Sequence, residues 1–232
     1  NMIEFENYLK DLRKLVKERD TSEKNLLNIF WKQIENDYGQ LLEESCTGLD
    51  IVEWFYKKKF YQQAITYIEA KLPQEWVERK TISYKENGTG LNELKKTLKK
   101  GFEKDANLVV DQIARQYFTW TSIVKEKNGK KIDKFNIRSN LKKARTVNYR
   151  TSNQLRNVNI LYGQLSLGTM NISIKKGIDA DSVMDMILLY KLLKNERNKF
   201  NHMSDKNDRA DQETLGKVIR LFIECGREVY GD

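Results

Sequence analysis

Along IEFENYLKDLRKLVKER, residues 3–19, the apolar positions Ile3, Phe5, Leu9, Leu12 and Val16 recur near helical spacing and predict one amphipathic helix. A second helical pattern runs through LLNIFWKQIENDYGQLLEE, with Thr21 or Ser22 as candidate caps. Gly48 breaks the pattern, and Asp50 is a candidate cap for a short helix, IVEWFYKKK. FYQQAITYIEAKL reads as the next helix, ending at Pro73, because proline lacks the N–H a helix interior needs. These two segments predict a helical hairpin with Trp54, Phe55, Ile65 and Ile68 facing inward. Its aromatics read as core before they read as a ligand platform.

From about Thr81 the periodicity weakens. KENGTG, residues 85–90, has the composition of a loop. LNELKKTLKKGF is a short basic amphipathic stretch. ANLVVDQIARQYFTWTSIV predicts a strong helix with Leu108, Ile113, Tyr117 and Trp120 among its apolar positions. KEKNGKKIDKFNIRSNLKKARTVNYR is basic and loop-rich, and the polar residues 151–178 hold at most one helix, within SNQLRNVNILYGQLSL. Asp181 or Ser182 is the candidate cap of a further helix, SVMDMILLYKLLKN, and a polar loop, SDKNDRADQE, follows. TLGKVIRLFIECGREVY then predicts a last helix with Leu215, Val218, Leu221, Phe222 and Cys225 on one side. With few alternating runs and one proline, the chain is expected to be almost all-α.

The length suits one large domain or two small ones and is enough to bury a core. No apolar run approaches the roughly 20 residues that cross a bilayer, and no basic start precedes an apolar signal core. No membrane partner and no secretory leader are therefore expected. Two cysteines, Cys46 and Cys225, cannot build a disulfide framework. Both are expected in helices as small core residues, and a reducing, cytoplasmic location fits them. The opening Asn1-Met2 leaves both an appended residue and a piece of a longer protein open.

Charge changes the picture more. The formal net charge is +9. Between Arg79 and Arg150 there are 19 Lys+Arg against 7 Asp+Glu; the rest of the chain has 23 against 26. One segment thus carries the whole positive excess. A localised basic surface attracts phosphate backbones through counterion release. A solvated helix face with loops is the plainer explanation of the same lysines.

The only histidine, His202, lies in ERNKFNHMSD, just beyond the apolar run SVMDMILLYKLLKN. Val183, Met186, Ile187, Tyr190 and Leu193 recur at steps of three and four, and the next member of that stripe is Arg197. A charge on a core-facing stripe is costly unless paired. Arg197 is therefore expected in a cleft, at a subunit interface or against a carboxylate. Asn198 and His202 share a face on a continuous helix, whereas Arg197 and His202 lie about 140° apart around the axis. They can serve one site if the helix bends near Asn201, or if the site lies between two helices, as a two-fold dimer would provide. Arginine can stabilise charge building on a phosphate, histidine can shuttle a proton near neutral pH, and asparagine can orient either. These parts suit attack of an RNA 2′-OH on its neighbouring phosphate. No carboxylate or Cys/His cluster compels a metal, and no cofactor is expected. A structural arginine and a surface histidine remain the competing reading.

Arg197-Asn198-x-x-x-His202, after an apolar helix and before a polar loop and another helix, resembles the Arg-x4–6-His signature of HEPN ribonucleases. The hairpin IVEWFYKKKFYQQAITYIEAKLP resembles the helical segment of CRISPR-associated HEPN proteins of type III systems. The resemblance implies a helical bundle over 48–232 with a basic insertion at about 79–178. Residues 1–47 would supply N-terminal helices, as a linker or as part of the bundle. It implies a homodimer with a composite active site and metal-independent cleavage of single-stranded RNA to a 2′,3′-cyclic phosphate and a 5′-OH. In that scheme Arg197 stabilises the transition state, His202 acts in proton transfer or positions the 2′-OH, and Asn198 orients substrate or the pair. Relatives of this kind usually carry a CARF sensor of cyclic oligoadenylate, and no run of strands and glycine turns here suits one. Such an activator would need a sensor domain not evident in this chain. An antitoxin-controlled toxin with the same chemistry, and a non-catalytic basic helical module binding RNA or protein, are the alternatives.

Overall fold

The computed structural model describes residues 2–18, 26–85, 104–111, 172–201 and 212–231. Its helices are α1 (Met2–Glu18), α2 (Leu26–Leu42), α3 (Gly48–Lys57), α4 (Tyr61–Glu78), α5 (residues 106–111), α6 (Ala180–Asn201) and α7 (Gln212–Tyr230). The described residues are mostly helical, as the periodicity predicts. Two short strands depart from an all-α chain: β1 (Ile82–Tyr84) pairs antiparallel with β2 (Ile172–Ile174), Ser83 opposite Ser173. Each strand is too short to carry a period-2 pattern, and the pairing joins positions far apart in sequence. Local reading could find neither.

The helix starts show where local chemistry misleads. Asp50 is not the cap of α3 but its third helical residue. Thr47 is the cap, and the two exchange a reciprocal capping box. Likewise Asp179, not Asp181 or Ser182, starts α6, its carboxylate accepting from the Ser182 amide at 2.9 Å. Asp105 does the same for α5 by accepting from the Leu108 amide at 3.1 Å. The caps proposed at Thr21 and Ser22 lie outside the described residues.

Pro73 does not end α4, which continues to Glu78. Proline in a helix interior costs about 3 kcal/mol and leaves the carbonyl four residues back, that of Glu69, without its helical donor. The offsetting gain is burial: Leu72 and Trp76, on either side of Pro73, are both fully buried. Trp76 meets Tyr190 edge-on at 6.0 Å and Phe222 at 6.3 Å, so α4, α6 and α7 join around one aromatic centre. Tertiary packing overrides a local stop signal here.

α6 is the central helix. Val183, Met186, Ile187, Tyr190 and Leu193 are buried as the stripe predicts, and Met184, Leu188, Leu189 and Leu192 are buried too. It packs on α7 and α4. On α7, Leu215, Val218, Phe222 and Cys225 are buried, Leu221 is half-buried, and Ile219 joins the core. In the hairpin Phe55, Ile65 and Ile68 are buried, whereas Trp54 is half-buried and stacks on Tyr38 of α2 at 5.2 Å. Phe5 of α1 packs 5.0 Å from Phe55, and Glu6 pairs with Lys71 and accepts from the Tyr67 hydroxyl at 3.1 Å.

Cys225 is a buried helical residue, but Cys46 lies in the α2–α3 connection and is only half-buried. In α5 it is Val109 and Val110 that are buried; Leu108, placed on the apolar side by the sequence, is exposed. Ile113, Tyr117, Trp120, residues 86–90 and 204–211 of the two expected loops, the lysines at 95–100 and 130–131, and the helix expected within 152–167 lie outside the described residues, whereas Gln212 and Glu213, expected in the second loop, open α7. No described helix is long and apolar enough to cross a membrane.

Candidate functional site

The last three turns of α6 carry Lys191, Lys194 and Arg197 at steps of three, so they form one stripe on the helix. Cations here also complement the partial negative charge of a helix C-terminus. Two other elements bring carboxylates to the stripe. Glu69 of α4 places Oε2 2.6 Å from Arg197 Nη1 and Oε1 3.7 Å from Lys194 Nζ. Asp111 of α5 lies 3.6 Å from Lys194 Nζ and 2.5 Å from Lys191 Nζ. Cation and carboxylate therefore alternate from Arg197 through Glu69, Lys194 and Asp111 to Lys191.

The expectation that Arg197 needs a cleft, an interface or a carboxylate is met by the third of these. Its side chain is 26% exposed and that of Glu69 is 16%. The contact is a close ion pair rather than an aligned hydrogen bond: neither Glu69 Oε2 nor the buried Arg197 Nε finds a hydrogen-bond partner. The deepest residue of this turn is Glu196, 1% exposed, which the stripe did not single out. Asn198 is half-buried on the turn that follows Lys194. Helix α6 runs to Asn201, and His202, the next residue, lies outside the described residues.

Under the stripe, Tyr190 is fully buried and its hydroxyl has no hydrogen-bond partner. Burial, reinforced by the charges of Glu69 and Asp111, raises its pKa, so it stays a neutral phenol. Lys194 Nζ sits 5.9 Å from its ring centroid. Glu69, Lys194 and Asp111 were not legible as site residues. Glu69 sits in the apolar stretch YIEAKL, and a single carboxylate there carries no spacing signal.

A second polar centre joins α3 to α7. Arg227 Nη2 donates to Asp50 Oδ1 at 2.7 Å and to Glu53 Oε2 at 2.6 Å. Asp50 also accepts from the Gln40 amide at 2.9 Å, the Thr47 amide at 2.6 Å and the Thr47 hydroxyl at 2.8 Å. Burial pushes the Asp50 carboxyl up, but the Thr47 amide and the Arg227 guanidinium outweigh it, and it titrates below its ordinary value. Nearby, burial pushes the Cys46 thiol up to about 11, with the Asp50 and Glu75 charges adding to it; the Arg13 charge offsets only part of this. Cys46 is thus a protonated thiol at neutral pH and a poor nucleophile.

At the other end of α6, about 25 Å from Arg197 along the axis, a cleft of about 450 Å³ is lined by Arg79, Lys175, Lys176, Gly177 and Tyr230 among others. Its lysines are exposed, and Arg79 lies over the Tyr230 ring at 4.6 Å. Among the described residues no cluster of His, Cys, Asp and Glu is placed to hold a metal ion.

Set against protein-family models, curated proteins and solved structures, the chain matches none. The chemistry must therefore be argued from the residues. Arg197 is partly exposed and is paired with a carboxylate from another helix. Asn198 is its sequence neighbour, and the one imidazole of the chain follows at the end of the same helix.

Proposed function

We propose that this protein is a metal-independent endoribonuclease of HEPN type, cleaving single-stranded RNA by 2′-OH attack on the adjacent phosphate, as an effector of type III CRISPR antiviral defence. The observation that carries the reading is Arg197. It interrupts the apolar stripe of the central helix, stays partly exposed, and is held at 2.6 Å by a carboxylate from another helix. In this reading its guanidinium stabilises the charge that grows on the phosphate. His202 moves the proton between the 2′-OH and the leaving 5′-oxygen, and Asn198 orients the substrate. Two copies of the chain, apposed about a two-fold axis, bring both sets of residues to one groove. An activator such as cyclic oligoadenylate would act through a separate sensor domain.

The test is cleavage of a labelled single-stranded RNA by the purified chain in EDTA, beside Arg197→Ala and His202→Ala. Loss of cleavage in both variants, with a product ending in a 2′,3′-cyclic phosphate, is expected. Wild-type rates in either variant would overturn the assignment.

The Arg197–Glu69 pair also favours a second reading. An arginine already matched by a carboxylate can be wholly structural, and the chain would then be a helical module binding RNA through its basic segment. That reading expects salt-sensitive binding indifferent to His202 and weakened by neutralising the lysines at 95–100 and 130–131.

A further inference from the structure

We infer that Glu69 is the positioning residue of the proposed reaction: its carboxylate fixes the Arg197 guanidinium in the orientation that meets the scissile phosphate. This rests on the ribonuclease reading of Arg197 and adds to it a residue from α4, 128 positions away in sequence.

Three observations carry it. First, Glu69 is where a carboxylate is costly. It sits on α4 between the buried Ile68 and Leu72, with a side chain 16% exposed, and a charge so placed must be matched by charge. Second, its two oxygens are held by different cations. Oε2 meets Arg197 and Oε1 lies 3.7 Å from Lys194, which is itself 3.6 Å from Asp111. The carboxylate thus lies between two cations, and Lys191 tethers Asp111 in turn. Third, the two helices that carry the pair are packed together, since Trp76 of α4 and Tyr190 of α6 meet edge-on about two turns away.

The contact also leaves part of the arginine free. A guanidinium has several donors; with Nε buried and one oxygen at Nη1, it is the remaining Nη donors that are left to meet a phosphate. A long, flexible side chain that had to be ordered at each encounter would lose much of its value in the transition state. Glu69 orders it beforehand. The rival role for the same carboxylate is a mask that RNA must displace, and the two roles predict opposite effects of removing it.

The experiment is single-turnover cleavage of single-stranded RNA by the whole chain as wild type, E69A, E69Q, R197A and the E69A/R197A double variant. The Arg197 guanidinium NMR signals, assigned by their loss in R197A, are recorded alongside. Expected for E69A is a fall in the cleavage rate constant of up to about 100-fold, with the RNA concentration for half-maximal rate changed less than about two-fold. E69Q, which keeps an acceptor oxygen, is expected to recover part of that loss. The double variant should be no slower than R197A, because Glu69 acts only through Arg197. Guanidinium rotation, slow in the wild type, should become fast in E69A. Cleavage by E69A at or above the wild-type rate would overturn the inference, as would a further loss in the double variant or fast rotation already in the wild type. R197A cleaving like the wild type would instead overturn the ribonuclease reading, and the rotation measurement would still decide whether Glu69 immobilises the arginine.

Discussion

Arg227 and Arg197 are nearly equal by exposure, 25% and 26%, and each touches a carboxylate oxygen at 2.6 Å. Their surroundings differ. Arg227 donates aligned hydrogen bonds to two carboxylates, and Asp50 is further satisfied by Gln40 and by the amide and hydroxyl of Thr47. That corner ties α2, α3 and α7 together through acceptors whose partners all come from within the chain. Arg197 has one oblique contact and a buried Nε with no partner. The first arrangement is fully hydrogen-bonded; the second is an ion pair that leaves a buried donor unmatched. Burial and charge alone do not distinguish these two arginines; the completeness of their hydrogen bonding does.

Exchanging the two roles by mutation tests the contrast most severely. Arg197→Ala is expected to lower RNA cleavage by on the order of 10²–10³, the usual cost of removing one donor aimed at a transition state, with the fold intact by circular dichroism. If cleavage and stability fell together, Arg197 would belong with Arg227.

Gly48→Ala attacks the structural corner through packing. A Cβ there would lie 2.2 Å from Glu75 Oε2 and 2.6 Å from Leu72 Cδ2, and Glu75 is the acceptor of the Gly48 amide. Because neither neighbour can withdraw without breaking a contact, a loss of about 3 kcal/mol is expected in chemical denaturation.

Arg227→Ala should cost about 2 kcal/mol, less than a fully buried pair because the side chain is a quarter exposed. The cleavage rate constant, measured well below the melting temperature, should stay within about two-fold.

Acid sharpens the same distinction. Burial pushes Glu53 up, but Lys57 and Arg227 outweigh it, so Glu53, like Asp50, titrates below its ordinary value. Unfolded carboxylates titrate near 4, so the stability these groups contribute is fully present above that pH. It is lost as the pH falls through their lower folded values. Glu75 works in reverse, since burial raises it, and the folded chain loses stability as the pH climbs from the ordinary carboxylate value through the raised one. Melting temperatures between pH 2 and 7 should therefore drop on the acid side, and in Arg227→Ala that drop should be smaller, because folded values nearer the unfolded ones leave less linked stability to lose. An unchanged acid limb would show that Arg227 does not hold these carboxylates down.

The smallest effect is expected for Lys194→Ala. Its contacts are 3.6 and 3.7 Å and Lys191 still holds Asp111, so stability should change by less than about 1 kcal/mol. A larger loss would mean that the line of alternating charges acts as one unit.

Much of the helical content was legible along the chain because helix periodicity and capping are local. The stripe on α6, the inward residues of the α3–α4 hairpin and the buried side of α7 follow from spacing alone, since any helix with those spacings must bury that face. Even the demand that Arg197 find a partner is local, because a charge on a core stripe must be matched wherever the core is. Which partner it finds is not local. Glu69 reaches it only because Trp76, Tyr190 and Phe222 lock α4, α6 and α7 together, and Asp111 arrives from a third segment. The same packing carries α4 through Pro73, and β1 pairs with β2 across a long stretch of sequence. Sequence alone determined most of the helices, their buried faces and the place of Arg197 on the α6 stripe, because those depend on neighbours a few residues apart. Only the tertiary structure decided that Arg227 is closed off by two carboxylates and Arg197 held by one, because that depends on which distant side chains the core brings together.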